Sequence, residues 1–280
     1  MYQVQDKNAC LEQGKRLKKR LNEGGAIAFL GAYDVFSAKL IAKQFEGIFC
    51  SGFSFTASFY GLPDIGYMSW KDIADFAIRI KNVLPNKFIL VDGEDGFGDE
   101  IVAATVIKYL ETANLSAVIL EDQKRPKKCG HFDNKKVLSK AEFIRKLKHV
   151  LSVRKDIFVL ARTDAVNSKE GVARAVEYAK CGADGIMIEA VQDLGVIKTL
   201  VRNVDCPIAV NQLNGGKTPS WSLKQLEDIG VSIVLYSTIG LFASQYAIQQ
   251  YLNRFKAAQR ITLGNAVNMA QCNKVLYENI

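Results

Sequence analysis

Histidine is scarce in this chain: His131 and His149 are the two among 280 residues. No H-x-x-x-H and no His/Cys cluster occurs, which removes a zinc centre from consideration, because such a site needs several N or S ligands at short spacing. The six cysteines (Cys10, Cys50, Cys129, Cys181, Cys206, Cys272) stand far apart without a C-x-x-C pair, and MYQVQDKNAC has no apolar signal-peptide core. Free thiols in a reducing cytoplasm are therefore expected. No P-loop and no G-x-G-x-x-G is present to hold a nucleotide, and no Ser-His-Asp set supports acyl-enzyme chemistry.

Charge is not concentrated as a nucleic-acid surface requires. The net charge is +8, and the densest basic run, Lys15–Arg20, is interleaved with Leu17 and Leu21 at helical spacing, the pattern of a solvated amphipathic helix. A second basic cluster holds Lys124, Arg125, Lys127 and Lys128, with no zinc-finger spacing beside it. The longest uncharged stretch, Val231–Leu252, contains four serine or threonine residues and three glutamines, so it reads as a buried strand leading into a helix rather than a membrane span.

What the chain does have is eight short apolar runs: Ala26–Leu30, Gly47–Ser51, Phe88–Asp92, Ala117–Glu121, Ile157–Ala161, Gly185–Glu189, Pro207–Asn211 and Ser232–Tyr236. They are continuous rather than alternating, as parallel strands buried on both faces should be. Amphipathic segments lie between them, at Ser69–Val83, Asp99–Ala113, Ser139–Ser152, Lys169–Cys181 and Ser222–Ile229. This predicts one α/β domain over 1–280, a (β/α)8 barrel. The surplus helical sequence over 241–280 carries Leu241, Tyr246, Tyr251 and Phe255, suited either to packing on the barrel or to a homo-oligomer interface.

The C-terminal ends of the runs carry the polar residues: Tyr33-Asp34, Ser51-Gly52, Asp92, Glu121-Asp122, Arg162-Thr163-Asp164, Glu189, Asn211 and Tyr236-Ser237. In a barrel these ends converge on one mouth, which locates the site. After the third run Asp92, Glu94, Asp95 and Asp99 crowd a glycine-rich turn, and like charges that close repel unless a cation or protons intervene. Magnesium or manganese would relieve this, with Glu121 and Asp122 on the neighbouring run as further oxygen ligands. An EF-hand is excluded, since the twelfth position from Asp92 is Ala103. Asp99 and Asp95 suit capping of the next helix; Asp92 suits a metal.

After the fourth run comes a loop dense in Lys, Arg, Pro and Gly that carries Cys129 and His131. The preceding lysines are expected to lower the thiol pKa, and a thiol there can exchange a proton near neutral pH; an inert loop cysteine is the competing reading. Ser51-Gly52-Phe53 offers backbone N–H groups to a carboxylate, and Arg162 offers a bidentate fork to a carboxylate or an enolate, or a structural ion pair to Glu189. Together they suit a small carboxylate chelated to a divalent ion.

These residues fall into an ordered set of motifs: G-A-Y-D, S-G-F-S, G-L-P-D (Gly61–Asp64), V-D-G-E-D-G-F-G, E-D-Q followed by K-K-C-G-H, A-R-T-D-A, I-E-A, N-Q-L-N-G-G-K-T-P and L-Y-S. The set resembles the isocitrate lyase and phosphoenolpyruvate mutase superfamily over nearly the whole chain. The resemblance implies a barrel whose last helix is swapped between partners in a dimer of dimers. It also implies Mg2+ (or Mn2+) held by Asp92 and, mostly through water, by Asp64, Glu94 and Glu121. Tyr33, Ser51, Gly52 and Phe53 would lie near the substrate carboxylate, with Arg162, Glu189 and Asn211 as further contacts. Cys129, beside His131, matches the thiol that protonates an enolate product from a gating loop.

The K-K-C-G-H loop favours carbon–carbon cleavage over phosphonate formation, and the short chain resembles methylisocitrate lyases, alkylmalate lyases and oxaloacetate hydrolases. Leu213 stands where methylisocitrate lyases tend to be polar, and Ser237 where hydrolytic members tend to have Ser. Both incline the reading towards an alkylmalate lyase or an oxaloacetate hydrolase. Glu94-Asp95 replaces the family's usual Asp-Thr. A phosphonate mutase and a non-catalytic anion-binding barrel remain as alternatives.

Overall fold

A computed structural model describes residues 12–260 and 266–277. Helix α1 (Gln13–Asn22) precedes strand β1 (Ile27–Ala32), α2 (Val35–Ala42), β2 (Gly47–Cys50), the short α3 (Gly52–Phe55) with a π-helical turn at Thr56–Tyr60, and α4 (Trp70–Val83). Then follow β3 (Phe88–Asp92), α5 (Glu100–Thr112), β4 (Ala117–Glu121), α6 (Lys140–Val153), β5 (Phe158–Thr163), α7 (Ser168–Lys180) and β6 (Gly185–Ile188). The chain ends with α8 (Leu194–Asn203), β7 (Ile208–Asn211), α9 (Leu223–Asp228), β8 (Ile233–Tyr236), α10 (Ile239–Ala258) and α11 (Met269–Tyr277). The strands pair in parallel in chain order, and β8 pairs with β1, so the sheet is a closed (β/α)8 barrel.

Alternation along the strands divides the core in two. Ile27, Phe29, Phe49, Leu90, Ile119, Leu160, Met187 and Leu235 face the barrel interior, where Leu17 and Leu21 of α1 join them. Outward residues such as Ile48, Val91, Leu120 and Val159 meet the helices. Burying each large side chain of this kind contributes roughly 1.5–3 kcal/mol. The basic run of the sequence is thus the exposed face of α1, whose leucines plug the barrel bottom. Gly14 is required there, because a Cβ would lie 1.9 Å from the Asp156 carbonyl oxygen.

Helix starts follow the sequence closely. Asp34, Ser69, Asp99, Ser139, Asn167, Asp193 and Ser222 each accept from a backbone N–H in the first turn of the helix that follows. Asp95 does not cap α5; it accepts the Arg125 guanidinium instead, at 2.8 and 2.7 Å. The uncharged stretch is β8 running into α10, and among the described residues no helix is long and apolar enough to cross a membrane. Helix α10 has no buried residue, so Tyr246 and Phe255 remain exposed instead of packing into the core. The five cysteines within the described residues are free thiols; Cys10 lies outside them, as do 261–265 of the C-terminal segment.

Candidate active site

The mouth encloses a cavity of about 30 Å3 beneath the loop after β4. Ser51, Phe53, Asp64, Asp92, Cys129, Gly130, His131, Arg162, Glu189, Asn211 and Ser237 line it, with Phe49, Ile119, Met187, Leu213 and Leu235 as its apolar wall. Strand register builds the first pair: Glu121 and Arg162 are cross-strand neighbours, with Arg162 Nη1 3.1 Å from Glu121 Oε2. The principal partner of Arg162 is Asp164, not Glu189. Nε donates to Asp164 Oδ2 at 2.8 Å and Nη2 to Oδ1 at 3.0 Å, while Glu189 Oε2 lies 3.4 Å from Nε. Lys135 reaches Asp164 from the loop, at 2.8 Å.

Glu189 Oε1 accepts from Asn211 Nδ2 at 3.0 Å and lies 2.9 Å from His131 Nε2. Burial would raise this carboxyl, but Arg162 and His131 outweigh it and hold it well below the usual range. The Ser237 hydroxyl donates to Asn211 Oδ1.

Asp92 accepts the Gly52 N–H at Oδ2 and the Glu94 N–H at Oδ1, both 3.1 Å. Gly52 packs so closely that a Cβ would lie 2.7 Å from Glu94 Oε1 and 2.8 Å from Asp92 Oδ2. Glu94 itself has a left-handed backbone, φ 51°, of the kind concentrated at functional sites. Between the acids sits Lys127, buried, its Nζ 2.6 Å from Glu94 Oε1 and 3.0 Å from Asp64 Oδ1. Burial would lower this ammonium, but Glu94 and Asp64 hold it well above its ordinary value. Burial lifts the Glu94 carboxyl to about 8, against the pull of Lys127.

Neither oxygen of buried Glu121 accepts a hydrogen bond among the described residues. Burial raises this carboxyl well above the usual range, with Arg162 opposing. Asp64, Asp92, Glu94 and Glu121 offer carboxylate oxygens alone, and Glu121 Oε1 accepts no hydrogen bond among the described residues; this donor chemistry fits a hard divalent ion. With the loop down, Lys127 supplies the positive charge, and among the described residues no three acidic, His or Cys groups converge as ligands.

Several expectations from sequence need correction. Cys129 is 6% exposed, and burial, with Asp64 adding to it, pushes its thiol up to about 12 instead of down. Lys127, expected to polarise it, is engaged with the carboxylates. Asp122 is no candidate ligand: it accepts from Thr163 Oγ1 and Tyr178 OH at 2.7 Å each, and from Arg174 Nη1 at 3.2 Å. Tyr33 lines a separate groove with Asp34, Phe55, Phe59 and Arg79. Asp164, Lys135 and Lys127 join the site beyond the expected contacts; the A-R-T-D and K-K-C spacings are the signals for them in the sequence.

A family model described as phosphoenolpyruvate phosphomutase matches residues 17–256. The chain belongs to the phosphoenolpyruvate mutase/isocitrate lyase superfamily. Within this superfamily it is 33% identical to the 2-methylisocitrate lyase of Halalkalibacterium halodurans, over 99% of this chain and 92% of that one. It is 28% identical to the 2,3-dimethylmalate lyase of Eubacterium barkeri, over 83% of this chain and 82% of the other. An oxaloacetate acetylhydrolase, solved in complex with the inhibitor 3,3-difluorooxalacetate, superposes with a TM-score of 0.90 at 25% identity, covering 95% of this chain and 93% of that one. Like its lyase relatives, the superfamily member described here is an enzyme of the carbon–carbon lyase kind.

Proposed function

We propose that this chain is a magnesium-dependent lyase that splits a small 2-hydroxy dicarboxylate, of the 2-alkylmalate or methylisocitrate type, by retro-aldol cleavage. The observation that carries the reading is Cys129, held as a neutral thiol over the cavity that also contains Arg162, Asp92 and Glu189. A thiol lifted to about 12 is protonated at neutral pH, as a proton donor must be.

Asp92, with Asp64, Glu94 and Glu121, would hold the ion, which when bound polarises the substrate's 2-oxygen and carboxylate. The chain's own groups do the rest. The Phe53 backbone N–H, next to the Gly52 N–H that Asp92 already holds, and the Asn211 amide orient the carboxylates. The 2-hydroxyl proton passes to a carboxylate of the acidic cluster as the C2–C3 bond breaks, leaving a 2-oxo acid and an enolate of the second product. The Arg162 fork, fixed by Asp164 and Glu121, stabilises the developing negative charge. Cys129 then delivers its proton to carbon, and the thiolate is reprotonated from the cluster. A cavity of about 30 Å3 holds only about two waters, so the loop must lift to admit a dicarboxylate.

Oxaloacetate hydrolysis is the second reading, favoured by the Ser237 hydroxyl within the cavity. Residues Tyr246, Ile248 and Leu252 of α10, each more than half exposed, support a homo-oligomer in which this face is covered. The test of function is incubation with Mg2+ and a panel of 2-alkylmalates, methylisocitrate, oxaloacetate and phosphonopyruvate, followed by NMR. Consumption of an alkylmalate or methylisocitrate supports cleavage. Consumption of oxaloacetate alone favours hydrolysis, and none with tight oxalate binding overturns both.

A further inference from the structure

The Cys129 loop is caught, on the opposite side of the mouth, by the turn that follows β7. The Lys217 backbone N–H donates to His131 Nδ1 at 3.0 Å, which leaves Nε2 as the protonated nitrogen, 2.9 Å from Glu189 Oε1. The turn is itself braced. Gln212 Nε2 donates to the Trp221 carbonyl and Trp221 N–H to Gln212 Oε1, both at 2.7 Å, and Gly216 N–H donates to the Leu213 carbonyl at 2.9 Å.

Gly216 lies against the imidazole with no room for a side chain. A Cβ would come 2.7 Å from His131 Nδ1 and 3.0 Å from both His131 Cε1 and Leu213 Cβ. The backbone there is not left-handed, so the methyl is opposed by contact, most closely with the ring and next with Leu213 Cβ, and not by the turn's own φ. The Lys217 ammonium also meets Asp133, 2.5 Å away, but the Asp133 side chain is 84% exposed, and such a pair contributes little.

We propose that the Gly216–Lys217 turn is the keeper of the lid and that Lys217 is a positioning residue acting through its main chain. Its N–H selects the His131 tautomer that faces Glu189, and thereby seats the lid with Cys129 over the cavity. The consequence for turnover rests on the lyase reading; the seating of the lid does not.

The test compares iodoacetamide alkylation of Cys129, read by peptide mass spectrometry with Cys181 and Cys206 as internal references, across variants of the full chain. Gly216→Ala should speed Cys129 alkylation by about tenfold or more, because local opening of the lid exposes the thiol and restores its ordinary acidity. Lys217→Ala keeps the N–H and should change the rate by no more than about twofold. In a His131→Ala background, Gly216→Ala should add far less, since the ring it strikes most closely is gone and the contact with Leu213 Cβ, at 3.0 Å, remains. Unchanged alkylation in Gly216→Ala, or an effect of the same size without His131, overturns the proposal. If Gly216→Ala does not fold, His131→Ala alone decides: faster Cys129 alkylation supports the keeper and an unchanged rate refutes it. A chain that turns over no substrate would defeat the lyase reading and leave this comparison standing.

Discussion

The two ends of the barrel bury carboxylates to a similar degree and treat them in opposite ways. At the bottom, Glu111 Oε1 accepts the backbone N–H groups of Lys155, Asp156 and Ile157 at 2.8, 2.6 and 3.0 Å. Asp156 in turn accepts those of Gly14 and Lys15 at 2.7 and 3.0 Å, capping the plug helix. At the mouth, Asp64 and Glu94 meet Lys127, Glu189 meets His131, and Glu121 meets Arg162. The bottom donors are main-chain groups fixed by the strands and helices. At the mouth Lys127 and His131 sit on the loop after β4, while Arg162 and Asn211 are held by the strands. A carboxylate satisfied by fixed backbone stabilises the fold, whereas one satisfied by a removable cation can be handed to an ion or a substrate.

Substitution at the bottom should have the largest effect on stability. Glu111→Ala strands three backbone donors and should lower the unfolding free energy by about 3 kcal/mol or more, measured by urea titration. The folded fraction should keep its KM, because no mouth group moves. Glu121→Gln should do the reverse: it costs less stability than Glu111→Ala, because Glu121 holds no backbone donor and Arg162 keeps its bidentate partner Asp164, while calorimetric binding of oxalate with Mg2+ disappears. A large loss of stability in Glu121→Gln would erase the distinction between the two ends.

A smaller effect sharpens it through pH. The Glu94 carboxyl sits at about 8 in the folded chain, above the ordinary value of 4.5, so the folded state binds this proton more tightly than the unfolded one. Its contribution is complete below the ordinary value and is lost as pH rises from about 4.5 to about 8. Without divalent ions, the native protein should therefore lose more Tm between pH 5 and pH 8 than Glu94→Gln. Equal slopes would remove Glu94 as the source.

The barrel was legible because strands buried on both faces leave continuous apolar runs, and because Asp92, Glu121, Arg162 and Glu189 sit where those runs end. The β1 and β5 ends lie two residues further on than the apolar pattern marked, at Ala32 and Thr163. Strand alternation explains Glu121 against Asp122: adjacent residues point to opposite faces, one into the mouth and one into the Arg174–Tyr178 layer. What the sequence could not convey was which way the loop folds. The acidity of Cys129 follows from its burial under the lid, not from the lysines beside it, and the destination of Lys127 is a tertiary contact with Asp64, more than sixty positions away.

In the proposed reaction the mouth protonates a carbon through Cys129. The direct measurement is NMR of 2,3-dimethylmalate incubated with Mg2+ in D2O, using native protein and Cys129→Ala. The native protein should give pyruvate with singly α-deuterated propionate, and Cys129→Ala should turn over about a thousandfold more slowly, the scale of a lost general acid. Deuterated propionate formed at an undiminished rate by Cys129→Ala would contradict it.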